Sequence, residues 1–345
     1  MKRFAILAIG SLDYILSKTG NMLLRYRPDE VISIIDPLHA GKTSDEVLGW
    51  GRKIPVVKSF NKLKLYKPTH LVIGNAPQGG VLSDSERIEV IEAIKNKCNI
   101  ISGMHVFLNE DDEISDLANK HDVKIVDLRK PPNPPHFPKG SWIKRKFPVL
   151  EVVGSDCDTG KMTTAWEIAM ALKKRKRRVE FIGTGQTGIL LSGKGIVVDA
   201  VTSDFLAGEV EYLLDSLPKN TELAVIEGQG AINNMYYSSV TLGLLHGAMP
   251  DFLVFTHEPN RNLDVAKWKI PKIKALMKIH LELLKPFKNC SFLGINLLTH
   301  RMGDKESKEI INSIFDEFSI PVADLIRFKD NQLVNKIEKA IDTWK

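Results

Sequence analysis

Residues 154–164 read GSDCDTGKMTT, directly after the apolar run FPVLEVV and directly before the helix-forming run AWEIAMAL. A glycine-bounded loop between a strand and a helix can aim several backbone N–H groups inward, and the positive end of the helix adds to their pull on an anion. Such a loop is a phosphate cradle. Lys161, expected to face solvent, would reach the outer phosphates. The candidate phosphate-binding residues are therefore Gly154, Ser155, Asp156, Cys157, Asp158, Thr159, Gly160, Lys161, Met162, Thr163 and Thr164. The G-x5-G-K spacing is one residue longer than the commonest phosphate-loop pattern, and Met162 stands where Ser or Thr is usual. A hydroxyl for a magnesium ion must then come from the threonines that follow, with Thr163 the assigned ligand.

Other residue types extend this chemistry. The run LAVIEGQG, 223–230, is an apolar strand ending in Glu227, where a phosphate-loop domain expects a carboxylate that holds magnesium or orients a nucleophile. Asp204, in TSDF, is a further magnesium candidate or a helix cap. Three histidines, His105, His246 and His257, lie in stretches containing glycine or proline beside apolar runs, and any of them could be a general base. His257 is favoured because it ends the run DFLVFTH in the same half as the glycine loop, where α/β sheets place their ligands. Arg261, four residues on, could grip a substrate carboxylate bidentately or be a plain surface residue. Cys157 sits where a thiolate would be stabilised, yet no evident base accompanies it, so it reads as a spacer. The run HAGKT, 39–43, lacks the upstream glycine of a second phosphate loop and reads as a strand-end loop. IGNAPQGG, 73–80, reads as a glycine turn that could line a cleft.

The elements that must position these groups follow from hydrophobic pattern. Short apolar runs alternate with helical stretches: FAILAIG, VISIID, THLVIGN, NIISGM and VKIVDL in the first half, with a helix over 85–97. FPVLEVVG, VEFIG, GIVVDAV, ELAVIEG, DFLVFTH and FLGINLL follow in the second, with a last helix over 331–344. Alternation of this kind predicts parallel α/β sheets. Between the halves, KPPNPPHFPKG holds five prolines in eleven residues, too stiff and donor-poor for a strand or helix interior. The expected organisation is a smaller Rossmann-like α/β domain over 1–130, a proline-rich linker over 131–147, and a P-loop NTPase-like, mostly parallel-sheet domain over 148–345.

Composition excludes several classes. The chain has 345 residues, 43% of them apolar, which is enough for a sizeable core. Its net charge of +6 comes from one place: the six residues KKRKRR, 173–178, account for the whole excess of 48 basic over 42 acidic residues. Aromatics do not interleave with them, so the run reads as the cationic end of a helix and not as a nucleic-acid surface. Three separated cysteines encode neither a disulfide framework nor a zinc site, and the default compartment is the cytoplasm. The basic, apolar start imitates a signal peptide but is followed by Asp13 with no small-x-small site, so it reads as a first strand. No run approaches membrane-spanning length.

The long glycine loop, the E-G-x-G strand end and the S-D dipeptide resemble the dethiobiotin synthetase branch of P-loop proteins. That likeness places Lys161 on phosphates and Asp204 and Glu227 on magnesium. The lysine which that branch carries after its second strand is absent from GTGQTG, 183–188, so dethiobiotin synthesis itself is not implied. A longer resemblance runs through HAGKT, IGNAPQGG, ISGMH (101–105), DLRKPP (127–132), GSDCDTGKMTT, EGQG, VTLGLLHG (240–247) and HEPNR (257–261). Together these are similar to the two-domain family that includes D-glutamate N-acetyltransferase. Met162 belongs to that family's pattern, whereas a His-Pro pair expected after EGQG is replaced here by Asn234 and Met235. The resemblance implies acetyl transfer from acetyl-CoA to the amine of a small substrate, D-glutamate, with His257, Glu227 and Arg261 as catalytic candidates. An ATP- and Mg2+-dependent ligase or kinase acting on an amino acid or carboxylate, and a nucleotide-regulated binding protein, stay open, as does a homo-oligomer.

Overall fold

The computed structural model describes residues 2–13, 16–75, 80–328 and 331–344, so most of the glycine turn in IGNAPQGG lies outside the described residues. The chain divides into two units, residues 1–130 with 189–193 and residues 131–188 with 194–345.

In the first unit β1 (Phe4–Leu7), β2 (Val31–Ile35), β3 (Val56–Val57), β4 (His70–Ile73), β5 (Asn99–Ser102) and β6 (Ile125–Asp127) form one sheet in the order β3-β2-β1-β4-β5-β6. Every pairing is parallel. This is the doubly wound, Rossmann-like arrangement. Helices α1 (Lys18–Tyr26), α2 (Ser44–Leu48), α3 (Asp84–Lys95) and α4 (Asp112–His121) connect the strands. A capping box explains the start of α3: the Ser83 hydroxyl accepts from the Glu86 N–H, and the Glu86 carboxylate accepts from the Ser83 N–H. HAGKT is a strand-end loop, with His39 Nδ1 at 2.6 Å from the buried Asp36 carboxylate and Thr43 capping α2.

The second unit is a second parallel six-stranded sheet. Along the chain it contains β7 (Val149–Gly154), α5 (Lys161–Lys174), β8 (Val179–Ile182), the start of α6 (Gln186–Ser192), whose residues from Ile189 on belong to the first unit, α7 (Ser203–Asp215), β9 (Leu223–Glu227) and α8 (Ser238–Ala248). It continues with β10 (Phe252–His257), α9 (Ile273–Leu284), β11 (Ser291–Leu297), α10 (Asp304–Phe318), β12 (Val322–Ala323) and α11 (Gln332–Thr343). The strand order is β12-β11-β10-β7-β9-β8. Near-continuous apolar runs make these strands central, because helices cover both faces. One core packs Val149, Ile182, Ala224 and Ile226 with Leu206, Val210, Leu214 and Leu244; the opposite one packs Val153, Leu253, Phe255, Ile295 and Leu297 with Leu276 and Leu284.

One sequence expectation changes here. GIVVDAV is not a strand: Ile196, Val197 and Val198 are buried, but the backbone makes one isolated bridge, Gly183 to Gly195, and then a 3-10 turn over Val198–Ala200. The proline-rich stretch is fixed to α7, with the N–H groups of His136 and Lys139 donating to Glu209 and Glu211 at 2.6 and 2.5 Å and the Ser141 N–H also donating to Glu211. The three arginines of the basic run are ion-paired: Arg175 and Arg177 meet Glu338 of α11 at 2.7 and 3.0 Å, and Arg177 and Arg178 meet Glu222. No helix among the described residues is long and apolar enough to cross a membrane.

Candidate functional site

Topology alone brings three of the predicted groups together. In the sheet β7 lies between β9 and β10, so its end, where the glycine loop begins, is flanked by the ends of β9 at Glu227 and β10 at His257. This is the switch point of the strand order, where open α/β sheets bind their ligands.

The loop is held closed by its own polar atoms. The Ser155 N–H donates to the Thr256 carbonyl at 3.0 Å, and the Thr159 hydroxyl lies 2.9 Å from the Asp156 carbonyl and 3.0 Å from the Thr256 hydroxyl. Gly160 caps α5 at φ +82°, a conformation that side-chain-bearing residues rarely adopt, and a Cβ there would lie 2.6 Å from Leu298. Lys161 differs from the expected solvent-facing residue. It is only 7% exposed, because its ammonium folds back to donate to the Asp156 carbonyl at 2.6 Å. Met162 is also buried, so at this position the helix turns an apolar side chain inward where a metal-binding hydroxyl would otherwise stand. Thr164 is buried too, and its hydroxyl accepts from the Asn296 amide of β11 at 2.9 Å. Thr163 is the partly exposed hydroxyl of the pair.

Glu227 ends β9 at 4% exposure. Its carboxylate accepts from the Thr184 N–H at 3.1 Å and from the Gln229 amide at 3.2 Å, while the Thr184 hydroxyl donates to the Glu227 carbonyl at 2.5 Å. The segment GTGQTG thus encloses the carboxylate. Asp204 is exposed in the first turn of α7. Among the described residues no three or more His, Cys, Asp or Glu gather as a metal site. A magnesium ion here would take hydroxyl, phosphate and water oxygens with Glu227, a donor set that suits its preference for few protein carboxylates.

The loop after β10 is built onto the phosphate loop. Arg261, which could be a substrate grip or a plain surface residue, sets its guanidinium 2.6 Å from the fully buried Asp156 carboxylate and donates to the Cys157 carbonyl at 2.8 Å. Asp156 also accepts from the Asn234 amide at 3.0 Å and from the Val265 N–H at 2.9 Å. Asn234, which stands where the His-Pro pair was expected, is fully buried and lies 3.5 Å from Asp264, whose other oxygen accepts from the Ala266 and Trp268 N–H groups. His257 sits beside this knot with Nδ1 2.8 Å from the Ser155 hydroxyl. Burial and the Arg261 charge push its pKa down to about 4, so it is neutral near pH 7. The other two histidines stand elsewhere: His246 is inside α8 against Phe287, not in a loop, and His105 is exposed in the first unit.

Sequence reasoning missed the Asp156–Arg261–Asn234 knot, the Ser155–His257 pair and Thr184. The replaced His-Pro pair did mark Asn234 as unusual, whereas a contact between side chains a hundred residues apart leaves no spacing signal.

The fold and the site define a two-domain α/β protein with a P-loop at the switch point of its second sheet. A family described as a P-loop domain of unknown function, DUF1611_C, matches residues 136–334, and a Rossmann-like domain of unknown function, DUF1611_N, matches residues 37–131. The chain belongs to the DUF1611 family. It is 35% identical over 261 residues, 74% of this chain and 77% of the relative, to a D-glutamate N-acetyltransferase from a Pseudoalteromonas species. It is 29% identical over 331 residues, 94% of this chain and 95% of the relative, to a D-glutamate N-acetyltransferase from Tritonibacter scottomollicae. The crystal structure of a DUF1611 family protein from Anabaena variabilis covers 98% of this chain and 100% of its own at 32% identity, with a TM-score of 0.92.

Proposed function

We propose that the protein transfers the acetyl group of acetyl-CoA to the amine of D-glutamate. The observation that carries this reading is the two-domain likeness to relatives of that name along most of the chain, together with a phosphate loop that suits the pyrophosphate and 3'-phosphate of coenzyme A. In this reading Lys161 and the loop N–H groups hold the phosphates. The substrate ammonium first loses a proton to a base, the freed amine nitrogen attacks the thioester carbonyl, and the C–S bond breaks as coenzyme A leaves as the thiol carrying the second nitrogen-bound proton. Glu227, the carboxylate at the end of β9, is the group this reading assigns that proton. Arg261 acts through the loop it clamps. The direct experiment is a coupled assay of thiol release from acetyl-CoA with D-glutamate as acceptor. Release that needs both substrates is expected; none above background, from metal-replete protein, overturns the reading.

A second reading keeps ATP and Mg2+ in the same loop. Glu227 at the end of the strand that pairs with β7, which leads into the phosphate loop, is the arrangement a magnesium–nucleotide complex uses, so an ATP-dependent ligase or kinase is its activity class. Consumption of ATP in place of thiol release distinguishes the two.

A further inference from the structure

His257 ends β10 with its ring against the first residues of the phosphate loop. Nδ1 lies 2.8 Å from the Ser155 hydroxyl, and Ser155 is fully buried. Among the described residues that hydroxyl has one hydrogen-bond partner, the ring nitrogen itself. A serine hydroxyl always carries a proton that needs an acceptor, and a buried O–H without one is costly. If Nδ1 carried the proton and donated to the oxygen, the Ser155 O–H would have nowhere to point. The O–H must therefore donate to Nδ1, which leaves Nδ1 bare. A neutral ring with a bare Nδ1 carries its proton on Nε2.

The imidazolium form is disfavoured from the same side. Arg261 is the cation that faces the ring, and its charge is only partly countered by Asp156 at 2.6 Å and Glu258 at 3.9 Å; Glu258 in turn meets Arg301 at 3.5 Å. Burial acts in the same direction as Arg261. The ring is mostly buried, with only part of it exposed at the end of β10.

We infer that Ser155 fixes His257 as the Nε2–H tautomer, and that His257 serves the site as a hydrogen-bond donor to an anionic oxygen, not as the general base. This deepens the proposed function and rests on the phosphate-loop reading for the identity of the anion: a phosphate oxygen of the bound ligand or the oxyanion of a tetrahedral intermediate. Ser155 is a positioning residue that acts through the ring. In acyl transfer the donor would stabilise the negative charge that forms as the amine adds to the carbonyl, without taking a proton.

The test is nitrogen NMR of the full-length protein labelled with 15N-histidine, with the His257 resonances assigned from the spectrum of His257→Gln. At pH 7 the ligand-free protein is expected to show a protonated Nε2 and a bare Nδ1, and Ser155→Ala is expected to mix the two tautomers while circular dichroism stays unchanged. A protonated Nδ1 in the wild-type protein, or an imidazolium, overturns the assignment. Inorganic pyrophosphate, the group shared by coenzyme A and nucleotides, is then the probe. A shift of the Nε2 and its proton on titration is expected, and unchanged His257 signals throughout overturn the donor role. His257→Gln retains an N–H donor but cannot act as a base, so it is expected to hold pyrophosphate within about threefold of wild type while His257→Leu loses tenfold or more. Equal losses in both variants also overturn the donor role. All of these readings are made without turnover, so absence of thiol release would sink the acetyltransferase reading alone.

Discussion

The Arg261 guanidinium meets the buried Asp156 carboxylate at 2.6 Å, which makes Arg261 a clamp on the phosphate loop before it can be anything else. Removing it would leave a fully buried carboxylate whose remaining partners among the described residues are the Asn234 amide and the Val265 N–H. An uncompensated buried charge is expensive. Because Arg261 itself is 20% exposed, the expected loss in Arg261→Ala is about 2–4 kcal/mol, below the upper range for a wholly buried pair. Urea denaturation measures it; an unchanged midpoint would return Arg261 to the role of a substrate grip.

Lys161→Ala tests the cradle. The ammonium is already turned inward and held by the Asp156 carbonyl, so a bound phosphate would exchange one oxygen partner for a charged one. Loss of such a charge-assisted contact is worth about 1.5–3 kcal/mol, roughly 10- to 150-fold in affinity. Titration calorimetry with coenzyme A and with ATP should show that drop for the ligand the loop holds. Equal affinity in mutant and wild type would dismiss the phosphate role.

The strands that carry the site were legible because β7, β9 and β10 are near-continuous apolar runs, broken in β7 only by Glu151 and ending in glycine or a polar residue, the pattern of strands buried on both faces. GIVVDAV has the same composition, yet it fills the core beside Leu206 and Val210 through buried side chains without joining the sheet. Apolar pattern reports burial, not pairing. VTLGLLHG misled in the other direction. Its glycines suggested a loop around His246, but they let α8 approach α7 closely, where a Cβ on Gly247 would lie 2.7 Å from the Ala207 carbonyl. The strand, loop and helix around GSDCDTGKMTT were legible by spacing, since they are local. Which way Lys161, Arg261 and His257 point depends on partners distant in sequence, and no spacing encodes that.

Glu227→Gln separates the two functional readings. The change keeps the shape that fits between Thr184 and Gln229 but removes the charge. If the carboxylate takes the ammonium proton, thiol release should fall by 10²-fold or more while coenzyme A affinity stays within about threefold. If it instead helps hold magnesium, ATP affinity should depend on Mg2+ in the wild-type protein and lose that dependence in the variant. Calorimetry with Mg2+ and with chelator reads the second outcome. Turnover and metal dependence both unaltered would exclude Glu227 from the site chemistry.

Glu151 makes a prediction about stability and pH. It lies in the middle of β7, paired with Ile226 on one side and Leu253 on the other, fully buried, and neither carboxylate oxygen has a hydrogen-bond partner among the described residues. Burial pushes its pKa up to about 8 from an ordinary 4.5, so the folded protein holds this carboxyl protonated at neutral pH. The sign follows from proton counting. Below about pH 4.5 the group is protonated in both states and costs nothing differential. Between about 4.5 and 8 the unfolded chain has lost the proton that the folded chain keeps, so stability falls as pH rises, by about 1.4 kcal/mol per pH unit. Glu151→Gln has nearly the same shape and an equally unpartnered polar end, but it cannot ionise. The two proteins should therefore be similarly stable at pH 5, and the variant should be ahead by at least about 2 kcal/mol at pH 8. Every other titrating group is common to both, so the difference between their denaturation midpoints isolates this one. Parallel profiles across the range would mean that Glu151 finds a partner or solvent in solution.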